Sequence, residues 1–305
     1  HHAQLAYQTG QVLAAEVAQV GFNVNLAPVV DVNSNPLNPI INVRAFSDDP
    51  DTVGVLGSEV ARGIASQQVI SVFKHFPGHG DTVIDSHYGL PMVNNTRHTA
   101  YAIDLAPYKR AIRQGHAPDM IMSAHIQYPA LDSSLLTTQD HKKIIAPATL
   151  SRKIQHDILR KELGFQGVTI TDALDMQGIA HFFSPSDAVI KAFQAGVDIA
   201  LMPTEFARAA EAHQLPDLID TLVAAIDSGQ LSLAELNQSV ERIVRLKLQR
   251  GIRSDHSTTL PPAVAAHSSV IGHALHKAVE NEVVKKSITL IKNAHQTLPL
   301  TLTQE

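Results

Sequence analysis

The chain has 305 residues, a formal net charge of −5 and 44% hydrophobic content, enough for a full-sized core in one large domain. No basic run occurs and no apolar run reaches the roughly 20 residues a bilayer span needs, so nucleic acid and a membrane span find no support as partners. Cysteine is absent, which excludes a disulfide framework, thiolate metal sites and a cysteine nucleophile but leaves the compartment open.

The sequence opens inside a helical pattern, with Leu5, Val12, Leu13, Val17 and Val20 on one face, and leading sequence is expected before residue 1. Short apolar runs at 22–32, 69–76, 119–126, 167–174 and 197–203 then read as buried parallel strands. Between them lie amphipathic stretches at 52–67, 99–114, 151–163 and 186–195 that read as helices. This alternation predicts a parallel α/β fold. Four of the runs end in polar residues: Asp31, Lys74-His75, His125 and Thr171-Asp172. Polar C-terminal strand ends favour a (β/α)8 barrel over a doubly wound sheet. Five strands are legible where eight are needed, so the N-terminal strand or strands are expected to precede residue 1. Helices follow at 216–228 and 232–251, the second with Ser232 as N-cap and Gly251 as stop. The expected organisation is a barrel over 1–253, a polar linker over 254–270, and the beginning of a C-terminal α/β domain over 271–305, with a helix at 271–286 and a strand at 287–293.

The stretch "KHFPGHGDTVIDSH" (74–87) is the densest in chemistry. His75, His79 and His87 with Asp81 and Asp85 are competent metal ligands, yet their spacing matches no named metal pattern. A phosphate loop is disfavoured because "PGHGD" lacks the lysine and hydroxyl residue of that motif. Acid–base chemistry explains more. Asp85 and His87 are two apart, so an extended segment puts both on one face, where the carboxylate fixes the imidazole tautomer and frees the other nitrogen for substrate. Pro77, Gly78 and Gly80 would let the loop turn sharply.

A second reactive group ends the strand "GVTITDAL": Asp172 reads either as a helix N-cap or as a carboxylate in the barrel mouth, and Asp175 fits the capping role at least as well. A carboxylate facing a proton donor is the minimum equipment for glycoside hydrolysis. Lys74, His75 and Arg44 supply donors suited to sugar hydroxyls, although Arg44 reads equally as a loop anchor pairing Asp48 or Asp49.

Taken together, "KHFPGHGDTVIDSH", "APVVDV", "RAFSDDP" and "VTITDAL" resemble glycoside hydrolase family 3 in its β-N-acetylglucosaminidase branch, over the span from the first strand to about residue 250. "SITLIKN…TLPL" is similar to that family's entry into a second domain. The resemblance implies a retaining β-N-acetylhexosaminidase, with Asp172 as nucleophile, His87 as acid/base and Asp85 as its partner. It implies Lys74, His75 and Arg44 as ligands of the sugar, and no metal or organic cofactor. The implied substrate is a carbohydrate, an N-acetylglucosamine-containing muropeptide or chitooligosaccharide, in an extracellular or wall-associated setting; phosphate in place of water stays open. The family's earlier strand carries an Asp and a "GGRV…R" segment that do not occur in this sequence. Two other readings remain: a metal-dependent barrel hydrolase using His75, His79, His87 and His125, and an inactive sugar-binding fragment.

Overall fold

The computed structural model describes residues 2–204, 208–252, 269–294 and 298. Strands β1 (Val24–Asn25), β2 (Ile70–Phe76), β3 (Met120–Ser123) and β6 (Val168–Thr171) form one parallel sheet in the order β1-β2-β3-β6. Their register pairs Val24 with Ile70, Val72 with Met120, and Ser123 with Thr171. Neighbours in sequence are neighbours in space, as in a barrel, and the helices between strands supply each crossover. The expected strand 197–203 is reduced to a single parallel bridge between Ile199 and Ile170. The sheet therefore does not close among the described residues.

Strand β2, whose register shifts between Phe73 and Phe76, divides its side chains between two clusters. Phe73, Phe76 and Ile121 pack with Leu105 and Tyr108 on the helix-covered face. Val72, Met120, Met122, Val168 and Ile170 pack on the other, against Leu246. Leu246 belongs to helix Leu233–Gln249, which Ser232 caps by accepting from the Glu235 N–H. Both faces being covered explains why the strands read as unbroken apolar runs.

Two sequence expectations change. A hairpin, β4 (Leu135–Thr137) with β5 (Lys143–Ile145), was not legible, because three-residue strands with no fully buried side chain leave no periodic signal. The segment expected as a strand at 287–293 begins as the last residue of helix Ala274–Ser287 and continues without a strand partner among the described residues, with Ile288, Leu290 and Ile291 exposed. A strand needs a neighbour to take up its backbone groups, and hydrophobic content alone does not supply one. Most of the expected linker lies outside the described residues.

Helices His2–Gln19 and Pro50–Ser66 cross backbone to backbone. A Cβ on Gly63 would fall 2.1 Å from the Tyr7 carbonyl oxygen, and one on Gly10 would fall 2.2 Å from that of Val60. Gly63→Ala is therefore expected to force the helices apart and cost ~1–3 kcal/mol, read as a lowered melting temperature.

Candidate active site

The strand ends converge as the barrel reading requires. Asp31, just beyond β1, is fully buried and organises the start of the loop. Its Oδ2 lies 2.7 Å from His75 Nδ1, its Oδ1 accepts the His79 N–H at 2.7 Å, and the His75 N–H reaches both oxygens at 3.2 Å. Burial pushes this carboxyl up most strongly, yet interaction with the His75 ring and the His79 donors outweighs it and holds Asp31 below its ordinary value. With Nδ1–H committed to Asp31, His75 Nε2 has no protein hydrogen-bond partner among the described residues. The Lys74–His75 and Phe76–Pro77 peptides are cis.

Lys74 is half-buried, and its ammonium makes no hydrogen bond or ion pair among the described residues. Burial and the neighbouring Arg44 lower its pKa, while Asp172 and Asp31 partly restore it. Arg44 is exposed; it donates to the Ile40 carbonyl at 3.2 Å and pairs with neither Asp48 nor Asp49. Asp49 instead caps helix Pro50–Ser66, accepting from Thr52. The loop-anchor reading of Arg44 through those carboxylates is corrected on that ground.

Asp172 caps no helix. The next helix, Gln177–Ala180, has Met176 at its N-cap and no side-chain cap, so neither Asp172 nor Asp175 serves it. Asp172 Oδ1 accepts the Ala173 N–H at 2.9 Å. Burial works against its ionisation, but interaction with His75, His125, the Ala173 N–H and Lys74 prevails and holds its pKa below the ordinary carboxylate range. Burial lowers the pKa of the His125 imidazole itself.

Asp85 and His87 do meet, though by a turn rather than an extended strand. Asp85 Oδ1 accepts from both the His87 N–H, at 2.9 Å, and His87 Nδ1, at 2.7 Å. Burial raises the Asp85 carboxyl, and the two His87 donors more than reverse it. The His87 side chain is 53% exposed, and Nε2 has no protein partner among the described residues. This loop is tethered beside the Asp172 strand: the Gly178 N–H donates to the Ser86 carbonyl at 3.2 Å. A Cβ on Gly178 would lie 2.9 Å from the carbonyl oxygens of Ser86 and Gly89 and 3.3 Å from His125 Cβ. Only glycine permits that approach.

Sequence reasoning missed Asn38, Ser86 and Gly178, and it missed that Asp31 and His79 act as supports and His125 as a brace. His125 Nε2 donates to the Ala173 carbonyl at 2.9 Å, and its Nδ1 lies 2.9 Å from Thr149 Oγ1. The polar strand ends flagged Asp31 and His125; nothing in the pattern gave them a partner. Among the described residues no three His, Asp or Glu side chains converge as metal ligands.

Beneath the loop, Asp104 is buried with Tyr128 Oη 2.5 Å from Oδ2 and no partner on Oδ1. Burial dominates over the bonds from Tyr128 and Asn95 and raises its pKa to about 7. A raised carboxyl favours the fold fully below pH ~3.8, its unfolded value, and that benefit drains away as pH rises to about 7. Asp104→Asn is expected to melt higher than the parent at pH 8, by ~1–3 kcal/mol, with the difference vanishing near pH 4.

The "Glycosyl hydrolase family 3 N terminal domain" matches residues 1–246. The chain is 43% identical over 291 residues to "Beta-hexosaminidase A" of Pseudoalteromonas piscicida, covering 94% of this chain and 47% of that protein. The solved glycoside hydrolase family 3 β-N-acetylglucosaminidase from Paenibacillus sp. str. FPU-7 superposes with a TM-score of 0.80 at 33% identity, over 95% of this chain and 51% of that one. A β-glucoside phosphorylase, BglX, gives a TM-score of 0.82 at 28% identity, over 98% and 51%. The chain thus spans about half the length of these relatives. Parallel strands in barrel order, polar residues gathered at their C-terminal ends and this set of matches lead to one assignment: the chain belongs to glycoside hydrolase family 3, whose N-terminal domain is a (β/α)8-type barrel.

Proposed function

We propose that this chain carries the catalytic site of a retaining β-N-acetylglucosaminidase that removes terminal β-linked N-acetylglucosamine from peptidoglycan-derived amino-sugar fragments. The observation that carries the reading is the pairing of two unlike groups. One is a carboxylate kept ionised, Asp172; the other is a solvent-facing imidazole, His87, oriented by Asp85 on a loop bonded to the segment after Asp172.

Asp172 attacks the anomeric carbon as the glycosidic C–O bond breaks, and the leaving oxygen takes the proton from Nε2 of the His87 imidazolium. Asp85 holds the other ring N–H throughout and stabilises the positive charge. In the second half, neutral His87 takes a proton from water, the water oxygen bonds to the anomeric carbon, and Asp172 leaves as carboxylate. The Lys74 ammonium and Arg44 are the donors for sugar hydroxyls, and His75 Nε2, with Nδ1–H given to Asp31, accepts from one. Lys74 suits this because it is half-buried and has no protein partner among the described residues.

Phosphorolysis is a second reading, supported by the similarity to a β-glucoside phosphorylase. A neutral imidazole base does not repel an approaching phosphate as a carboxylate base would. The metal-dependent reading loses ground on geometry: His79 and His125 each have both ring nitrogens engaged by protein groups.

The test is turnover of p-nitrophenyl β-N-acetylglucosaminide with and without chelator and with and without phosphate. Chelator-insensitive release that disappears in Asp172→Ala supports the site, and N-acetylglucosamine 1-phosphate as product would assign phosphorolysis. Activity that survives Asp172→Ala, or that chelator abolishes, overturns the assignment.

A further inference from the structure

His79 takes no part in the reaction above, yet both its ring nitrogens and both its backbone polar groups are engaged by the protein. Nδ1 lies 2.7 Å from Thr82 Oγ1, and Nε2 lies 3.0 Å from Ser86 Oγ. The Thr82 hydroxyl donates to the His79 carbonyl at 3.0 Å, so its oxygen accepts from Nδ1–H. That fixes the tautomer, because Nε2 is then left as the acceptor for the Ser86 hydroxyl proton. Burial and the adjacent His75 pull the His79 pKa down to about 4, in keeping with a neutral ring.

The backbone of the same residue is equally tied. Its N–H donates to Asp31, which also holds His75, and the Asn38 amide bridges the carbonyls of His79 and Gly80 at 2.8 and 2.9 Å. The His75 and His79 rings stand edge to face with centroids 5.8 Å apart. Ser86 sits between Asp85 and His87 and is buried, whereas His87 is exposed and Asp85 lies between those extremes. Ser86 is held twice, through its hydroxyl to His79 and through its carbonyl to Gly178. Two fixed points on one residue set the direction in which the flanking Asp85–His87 pair leaves the loop.

We infer that His79, acting through the Ser86 hydroxyl, is a positioning residue that sets the His87 imidazole at the distance from Asp172 where it protonates the leaving oxygen. This rests on His87 being the acid of the proposed function. The latch couples the exposed half of the site to its buried half: Asp31 fixes His75 beside Asp172, and the same carboxylate fixes the backbone of the residue that fixes Ser86. A displaced acid leaves nucleophilic attack intact and harms only the step that needs a proton.

That asymmetry provides the test. The quantity read is kcat/KM, which reports the first irreversible step, for phenyl and for 2,4-dinitrophenyl β-N-acetylglucosaminide, in the parent, Ser86→Ala, His79→Leu and His87→Ala. The dinitrophenolate leaves without protonation; the phenolate does not. Ser86→Ala is expected to lose about tenfold or more on the phenyl substrate and less than about threefold on the dinitrophenyl one, in the direction of a larger split for His87→Ala. Its melting temperature should match that of the parent, and where His79→Leu folds it should show the same split. Equal losses on both substrates, or no loss on either, overturn the inference while His87→Ala still shows its split. If His87→Ala shows no split, or the parent turns over neither substrate, the proposed function itself fails, and that outcome is distinct.

Discussion

Asp172→Asn is expected to lower kcat for an aryl β-N-acetylglucosaminide by roughly 10⁴-fold or more while leaving the protein folded. The amide keeps the shape of the carboxylate and can keep the bond from the Ala173 N–H, so the strand end need not move. On the proposed mechanism it loses the ability to form a glycosyl ester. The reserve of positive charge around the site makes a second consequence measurable. Asp172 is the first of the two carboxylates that raise the Lys74 pKa against burial and Arg44. Without it the Lys74 pKa should fall further, which a titration of isotope-labelled lysine by NMR would follow. The stability change has a fixed sign. Asp172 is depressed in the fold, so its contribution is present above pH ~3.8 and is lost as pH falls through the lower folded value. Asp172→Asn should therefore melt slightly below the parent at pH 7, and the difference should close in acid.

The contrast between Asp172 and its supports explains what a sequence can disclose. Asp85 and His87 were legible by standing two apart in a histidine-rich loop, and Asp172, Lys74 and His75 because each sits at or just after the end of an apolar β-branched run, where a polar residue breaks a strong pattern. Strand 69–76 matched Ile70–Phe76 for the same reason. The run at 22–32 shrank to Val24–Asn25 plus a bridge at Val29, since Pro28 removes a ladder donor in its middle. The expected helix at 151–163 exists, but Lys153–Glu162 winds as a π-helix, ending with Leu163 N–H bonded to the Ile158 carbonyl. Apolar periodicity does not separate the two windings. The supports were illegible for a different reason. Ser86 lies far from Gly178 in sequence, as does Asn38 from His79; a hydrogen bond between distant residues leaves no mark on either local pattern. Gly178 is the extreme case, a glycine whose role is set by carbonyls ninety residues upstream.

Asp31→Asn should be the most damaging single change to the stability of the site, at ~3–5 kcal/mol. The wild-type carboxylate is fully buried and acceptor-only, and it serves three donors: the His75 N–H, His75 Nδ1–H and the His79 N–H. An asparagine in its place offers one acceptor oxygen and turns an amide donor toward at least one of those N–H groups. Either a buried donor is then left unsatisfied or the His75 ring has to change tautomer, depending on which way the amide points. If the oxygen keeps His75 Nδ1–H, the His79 N–H faces the amide and the loop 77–87 loses its inner anchor. If it keeps the His79 N–H, the amide donor faces His75 Nδ1, and the ring must take its other tautomer or turn away from its place beside Asp172. Either way activity falls together with the melting temperature, unlike Asp172→Asn, where activity falls almost alone. The pH dependence separates charge from packing. Asp31 is depressed in the fold, so the gap between parent and Asp31→Asn should be full above pH ~3.8 and narrow as pH falls through the lower folded value. A gap that stayed constant into acid would mean that the carboxylate acts by its shape alone, and the three donors would need another explanation.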